Sequence, residues 1–381
     1  MRRALRALTP GWHSVRHILP GALVAATLAI IARSLADSLA AGTIGLPKIP
    51  LSPVLYAVIL GMLWRNTLGV PAWTGEGLNW AMHRLLRTGI ALVGLRLTVA
   101  GASTIAVTAL PVALGCLATA LIAGLLISRL MTVPQRLGVL LAIGTAVCGC
   151  TAVVAMSPVI RARHVETAFA VTCVVLFGCL AMLLYPWIAA HFFGNSPVHA
   201  GVFLGTAIHD TSQVIGAALI YSQQANAPEA LAAASVAKLL RNLSIIVLIP
   251  LAAWLTQRAE RNAPAVESEP HPAPDGAPLR PAGASAVPLF VFGFVLCVIL
   301  RSSGDALFGP APLWHAVINS GQTASELFLV CGMTAVGLSV RFTDMWRIGW
   351  RPLGAGLLVA TLAGMCSLGL TSLMQAVFPL H

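Results

Sequence analysis

Long apolar runs separated by short polar breaks organise this chain, and a membrane-spanning helix needs about 20 mostly apolar residues. Eleven runs fit that pattern: 18–36, 51–68, 84–99, 104–128, 136–159, 167–190, 199–221, 229–256, 285–301, 312–340 and 348–377. They predict an all-α integral membrane protein of about eleven transmembrane helices. Residues 1–17 read as a cytoplasmic tail, and 257–284, rich in Pro, Ala and charge, as a flexible cytoplasmic linker. The linker separates a block of eight helices (18–256) from a block of three (285–381), the two forming one membrane domain. Ser38-Leu39-Ala40 has the small-residue pattern of a signal-peptidase site, but a retained first helix is the expectation.

Composition agrees with lipid as solvent. Only 9% of the 381 residues are charged, 58% are hydrophobic, and the mean hydropathy is +0.87. A soluble domain carries about a quarter charged residues. The net charge of +11 does not indicate nucleic acid, because the basic residues lie in short segments between apolar runs instead of gathering on one face. All eight cysteines fall inside apolar segments and read as small buried hydrophobes, with neither a disulfide framework nor a metal site.

Lys and Arg counts set the orientation. With eleven crossings and the N-terminus inside, fifteen basic residues lie on the cytoplasmic side, six on the outer side, and Lys238 and Arg241 at membrane depth. This gives a cytoplasmic N-terminus, and a bacterial inner membrane is the expected location. Arg161 and Arg163 are the exception, since they fall outside. Making the fifth run alone re-entrant repairs that pair but sends Arg341, Arg347 and Arg351 outward.

Two internal echoes point to a duplicated scaffold. GIALVGLRL (89–97) matches GMTAVGLSV (332–340), and GTAVCGCTAVV (144–154) matches GTAIHDTSQVI (205–215), each with four identities. Secondary transporters are commonly built from such repeats.

The second echo also holds the candidate chemistry. Thr145, Cys148 and Gly149 in the fifth run, and Thr206, Thr211 and Gln213 in the seventh, mark two interrupted helices. Irregular backbone at this depth is tolerated only where it is buried in protein or lines a cavity, and half-helix N-termini attract anions. His209 and Asp210 lie in five consecutive polar residues that wrap the helix circumference. Charged groups there cost ~2.5–3.5 kcal/mol each on insertion scales, so this pair is the proton-coupling candidate. Lys238 and Arg241 share one face of the eighth run near mid-bilayer. Their countercharge could come from Asp210, Glu326 or a transported anion. Glu326 is a second-rank site, facing the same cavity or the outer boundary, and Arg96 is expected to snorkel to the interface.

GTAVCGCTAVVAMSPVI, GTAIHDTSQVIGAA, AKLLRN and GMTAVGL, in that order from about Gly89 to Leu338, resemble the signature elements of the YeiH-like sulfate-exporter family of membrane proteins. Cys150 and Asp210 depart from its pattern. The resemblance implies a bile-acid-symporter-like architecture: internal inverted repeats, two crossing broken helices, and a panel and core in elevator-type motion. It also implies export of a small oxyanion such as sulfate, sulfite or a sulfonate. Thr145, Cys148, Gly149, Thr206, Thr211, Gln213, Lys238 and Arg241 would then bind substrate, with a small inorganic or organic anion and the lipid bilayer as partners and a homodimer possible.

Two other classes stay in view. A proton- or sodium-coupled cation carrier would use Asp210 and Glu326. An intramembrane hydrolase would need Ser212 or Cys148 as nucleophile, and no nucleophile elbow or zinc motif supports it. No phosphate-binding loop is present, and neither cofactor nor metal is expected.

Overall fold

The computed structural model describes residues 12–41, 52–248, 250–251, 254, 289–341, 343 and 350–378. The linker expected at 257–284 lies outside the described residues, as do residues 1–11 of the expected tail. Every described element is helical. Among the described residues, six helices are long and apolar enough to cross a membrane: His17–Leu39, Val99–Leu130, Val165–Phe193, Pro228–Leu248, Phe290–Phe308 and Trp350–Val377. Their outward faces carry residues such as Val107, Ile122 and Leu126, each more than half exposed, as lipid-facing positions require.

In chain order, α1 is Trp12–Ala41 and α2 is Pro53–Thr67, the latter started by Ser52, whose Oγ accepts the Leu55 N–H at 3.1 Å. A rod made of α3 (Gly75–Trp80), a wide turn (Ala81–Leu85) and α4 (Leu86–Val93) ends in a tight turn, Gly94–Arg96. Then come α5 (Val99–Leu130), α6 (Gln135–Ala146), α7 (Cys150–Met156) and α8 (His164–Phe193). They are followed by α9 (Pro197–Ala207), α10 (Thr211–Gln224), α11 (Pro228–Leu243), α12 (Leu289–Phe308), α13 (Pro312–Ser339) and α14 (Trp350–Val377).

The fifth and seventh runs are interrupted, but they do not continue across the bundle. Each folds back on itself. In the seventh run, Gly201 lies against Ala230 and Ala233, and Gly205 against Ala234 and Ala237. A four-residue step on α9 is matched by a four-residue step on α11, so the two run parallel from one level. α10, which links them, must therefore return to the end where α9 began, and the Tyr221 hydroxyl accordingly reaches the Phe193 carbonyl at 3.5 Å.

The fifth run folds back in the same way. A Cβ on Gly144 would lie 2.7 Å from a Val153 methyl, so α7 doubles back along α6. The side chains of Ser157, just past α7, and Thr167, in the first turn of α8, are hydrogen-bonded. α8 runs parallel to α14, with Phe177 beside Gly356 and Tyr185 beside Gly364. Arg351 bonds Thr132 at 3.1 Å, so α14 starts at the turn between α5 and α6. α6/α7 thus enters and leaves at the end of the bundle where α1 starts, here the N-end, while α9/α10 enters and leaves at the opposite C-end.

This corrects the expectation of eleven traversing helices and of two broken helices crossing each other. The physical reason is local. Val147–Gly149 and Ile208–Asp210 are short non-helical links, and Gly149 takes φ +68° and ψ −126°, a conformation open only to glycine. The chain reverses there instead of resuming its direction.

Both echoes have counterparts in the packing. The breaks follow Ala146 and Ala207, and helix resumes at Cys150 and Thr211, each pair 61 residues apart. Positions 243 apart exchange partners: Gly332 packs on Leu86, while Gly89 packs on Leu329. Gly94 meets Phe294 and Cys297 of α12 much as Gly337 meets Val58 and Gly61 of α2. Gly124 of α5 touches Ala142 of α6, and Ser367 of α14 donates to the Phe203 carbonyl of α9 at 3.2 Å.

Candidate functional site at the hairpin tips

The two hairpin tips meet inside the protein. A Cβ on Gly149 would stand 2.9 Å from the Asp210 carboxylate and 3.1 Å from its Cα, so the absence of a side chain at 149 is what lets the tips touch. Ala146, Val147, Thr206, Ala207, Ile208 and His209 are buried.

α11 passes beside this contact, and its alanines at 230, 232, 233, 234 and 237 let it lie close to α9. Lys238 and Arg241, each 1% exposed, point into the tips from one face. Lys238 Nζ donates to the carbonyls of Val147 at 2.9 Å, Ile208 at 3.1 Å and His209. All three of its donors are used. Arg241 donates from Nε to Ala146 at 2.7 Å, from Nη1 to Thr206 and Ile208, and from Nη2 to Thr145. Thr145 and Thr206, and likewise Val147 and Ile208, are matched positions of the second echo.

These carbonyls end the first arms, α6 and α9, where helical carbonyls lack partners and the helix dipole concentrates about half a negative charge. The countercharge of Lys238 and Arg241 is therefore the backbone of both hairpins. No hydrogen bond or ion pair joins either cation to Asp210 or Glu326, two of the partners considered from sequence. The cations also tie the hairpins together, since each bonds carbonyls from both.

The second arms start at the same place with the opposite polarity. Asp210 caps α10: its Oδ1 accepts the Ser212 N–H at 2.9 Å and the Ser212 hydroxyl at 2.5 Å. It makes no hydrogen bond to His209. The His209 ring is 1% exposed, and neither of its nitrogens has a hydrogen-bond partner. The expected acid–imidazole pair is therefore not formed, and His209 is a buried imidazole free to accept or donate. Thr211 Oγ1 accepts from Asn242 Nδ2 at 3.3 Å, which leaves Asn242 Oδ1 unpartnered.

The other predicted residues divide. Thr206 Oγ1 bonds Ser367 Oγ and the Val202 carbonyl, both at 2.7 Å, anchoring α9 to α14. Gln213 turns toward α8, donating to the Val175 carbonyl at 3.0 Å, and Gly178 makes room for its amide. Both side chains hold the hairpin in place. Cys148 lies at the tip and is buried, while Cys150 opens the second arm and is partly buried. Glu326 is nearly half exposed and bonds Arg96 at 2.5 Å. Arg96 does not snorkel, since its side chain is 12% exposed and ion-paired. Among the described residues no three of His, Cys, Asp and Glu gather in a way that could hold a metal ion.

Sequence reasoning missed Ser367 and the six carbonyl acceptors. The acceptors are backbone atoms, invisible to residue type. The spacing of Lys238 and Arg241, three residues apart beside two breaks, was the available signal.

Comparisons with known proteins give the family. The family model described as "Conserved hypothetical protein 698" matches residues 20–356. A "UPF0324 membrane protein" of Ralstonia nicotianae is 34% identical over 311 residues, 80% of each chain. Another of Pseudomonas putida is 32% identical over 348 residues, 90% of each chain. A third, of Corynebacterium glutamicum, is 31% identical over 301 residues, 79% of each chain. No solved structure matches.

Proposed function

The chain belongs to the UPF0324 family of membrane proteins, and from that premise we propose that it is a secondary transporter moving a small oxyanion, such as sulfate, sulfite or a sulfonate, with proton coupling. The observation that carries this reading is the pair of hairpin tips meeting beside an unpartnered, buried His209, with Lys238 and Arg241 clamped across them. Broken helices whose ends converge inside the bilayer are the usual site of substrate and coupling ion in such carriers.

In this reading the anion lodges at the tips near His209, Thr211 and Asn242, where N–H groups opening the second arms favour negative charge. Lys238 and Arg241 neutralise the opposite, carbonyl-bearing ends and contribute positive potential without a free donor on Lys238. His209 carries the coupled proton, because imidazole is the side chain whose ordinary pKa lies within physiological range. The cation-carrier alternative needs Asp210 and Glu326 to act together, and the pairing of Glu326 with Arg96 speaks against it.

The membrane topology follows as nine crossings and two re-entrant hairpins, one from each side. Among the described residues, ten Lys and Arg then fall at the N-end, including Arg161, Arg163, Arg341 and Arg351. Three fall toward the C-end: Arg33, Arg96 and Arg301. By the positive-inside rule the N-end is cytoplasmic. The exchanged contacts support inverted repeats in permuted order: α2, α4 and α5 pair with α12, α13 and α14, while the first hairpin pairs with the second.

The test is sulfate counterflow in proteoliposomes at two pH values. Uptake of labelled sulfate against unlabelled sulfate that differs between the two pH values, and loses that difference on replacing His209 with Gln, is expected. Flux that follows an imposed sodium gradient and ignores the anion would overturn the reading.

A further inference from the structure

A cavity of about 420 Å³ opens toward the C-end, away from the hairpin tips. One wall is Arg96 with Gly101, Thr104 and Ile105 of α5, and Gln322 of α13 completes that side. The other wall is Val198 at the start of α9 with Pro228, Glu229 and Ala232 of α11. Ala232 lies six residues before Lys238, about 9 Å along a helix axis. The volume is many times the ~30 Å³ share of one water, so a hydrated oxyanion fits.

Arg96 sits at a helix end, on the turn after Val93-Gly94-Leu95, and is mostly buried. One guanidinium nitrogen bonds Glu326, and Nε is buried with no partner. The guanidinium thus has an unused donor, Nε, in a residue that lines the cavity.

The molecule contains its own control. The echo 243 residues on reads Val336-Gly337-Leu338-Ser339, so the position matching Arg96 is a serine whose hydroxyl bonds the Val336 carbonyl at 2.7 Å. The position matching Glu326 is His83, bonded to the Asn79 carbonyl, and that of Gln322 is Asn79 itself. At the matched N-end positions, Ser339 and His83 each bond a carbonyl of their own helix instead of one another. Holding a mostly buried arginine is not a requirement of the turn. The charge is an addition specific to the C-end mouth, and it stands against the charge bias, as one of three cations at that end among the described residues.

We propose that this cavity is a second anion-receiving site, in which a small oxyanion displaces the Glu326 carboxylate from Arg96. The guanidinium can meet an oxyanion through two parallel N–H donors, a geometry that suits carboxylate, sulfate and phosphate alike. Glu326 is exposed enough to swing into water when displaced. Glu229, exposed at the rim, is screened by solvent. Gln322, held to the Leu95 carbonyl at 3.5 Å, lines the same space. This site goes beyond the transport reading and does not depend on it, because binding is measured without flux.

The test is equilibrium binding of radiolabelled sulfate to the purified full chain in detergent, for wild type, Glu326→Gln, Arg96→Gln and the double variant, each first shown to be folded by its melting profile. Removing the competing carboxylate should tighten binding about tenfold, and removing Arg96 should abolish that gain in the double variant. Equal affinities in all four proteins, or no sulfate binding to Glu326→Gln, would overturn the proposal. The transport reading fails separately, by absence of anion flux from wild type.

Discussion

The two hairpins share a backbone path and differ in their chemistry. Hairpin one breaks at Val147-Cys148-Gly149 and hairpin two at Ile208-His209-Asp210, 61 residues on. Both end their first arm under Lys238 and Arg241. In hairpin one the second arm is seven residues long and begins at a glycine with no capping side chain. In hairpin two it is fourteen residues long, capped by Asp210, and preceded by the unpartnered His209. The path is thus scaffold, common to both copies, and the imidazole and the carboxylate lie at the tip of one copy only. Function should concentrate in hairpin two and α11, and hairpin one should respond mainly to changes of shape.

Replacing Arg241 by Ala should do the most damage, because it strips donors from both hairpins at once. Each carbonyl left buried without a partner costs ~1–3 kcal/mol, and of the four that accept from Arg241 only Ile208 also accepts from Lys238. A detergent melting curve should show loss of the cooperative transition. Arg241→Lys, which keeps the charge but loses the fork, should fall between. Next comes Gly149→Ala, which combines a forbidden backbone conformation with a clash against Asp210. A loss of ~2–4 kcal/mol is expected, and Cys148→Ala, one residue away, should cost far less.

His209→Gln sharpens the contrast in the other direction. With no hydrogen bond to lose, its stability should stay within ~1 kcal/mol of wild type, while flux should lose its dependence on pH. An unchanged pH profile would move the coupling group elsewhere. Asp210→Asn should have the smallest structural effect, a few tenths of a kcal/mol by melting temperature, because Asn caps helices nearly as well as Asp. Any larger effect on flux than on stability would then report the charge itself.

The boundaries of the apolar runs, both break points and the unusual polarity of His209–Gln213 were legible in the sequence, because each is written in residue types. The reversal of direction was not. A hairpin of two short apolar arms has the same hydropathy as one traversing helix, and the Gly and Thr residues at the break are compatible with either. The misfit of Arg161 and Arg163 was the one signal, and it misled when taken alone: one hairpin inverts everything downstream, whereas two restore the parity of Arg341, Arg347 and Arg351. The site was half legible. Lys238 and Arg241 stood out as costly, but their partners are carbonyl oxygens that any residue supplies. Glu326 drew attention for the same reason, yet its partner Arg96 lies 230 positions away in sequence.

Sidedness tests the fold-back most directly. Single cysteines at Ala162 and Asn195, in a background with the eight native cysteines replaced, would be challenged with a membrane-impermeant maleimide in intact cells and in inverted vesicles. The hairpin topology predicts that Ala162→Cys is labelled only in inverted vesicles and Asn195→Cys only in intact cells. The reverse pattern, 162 reached from outside and 195 from inside, is what two traversing helices would give, and it would contradict the account.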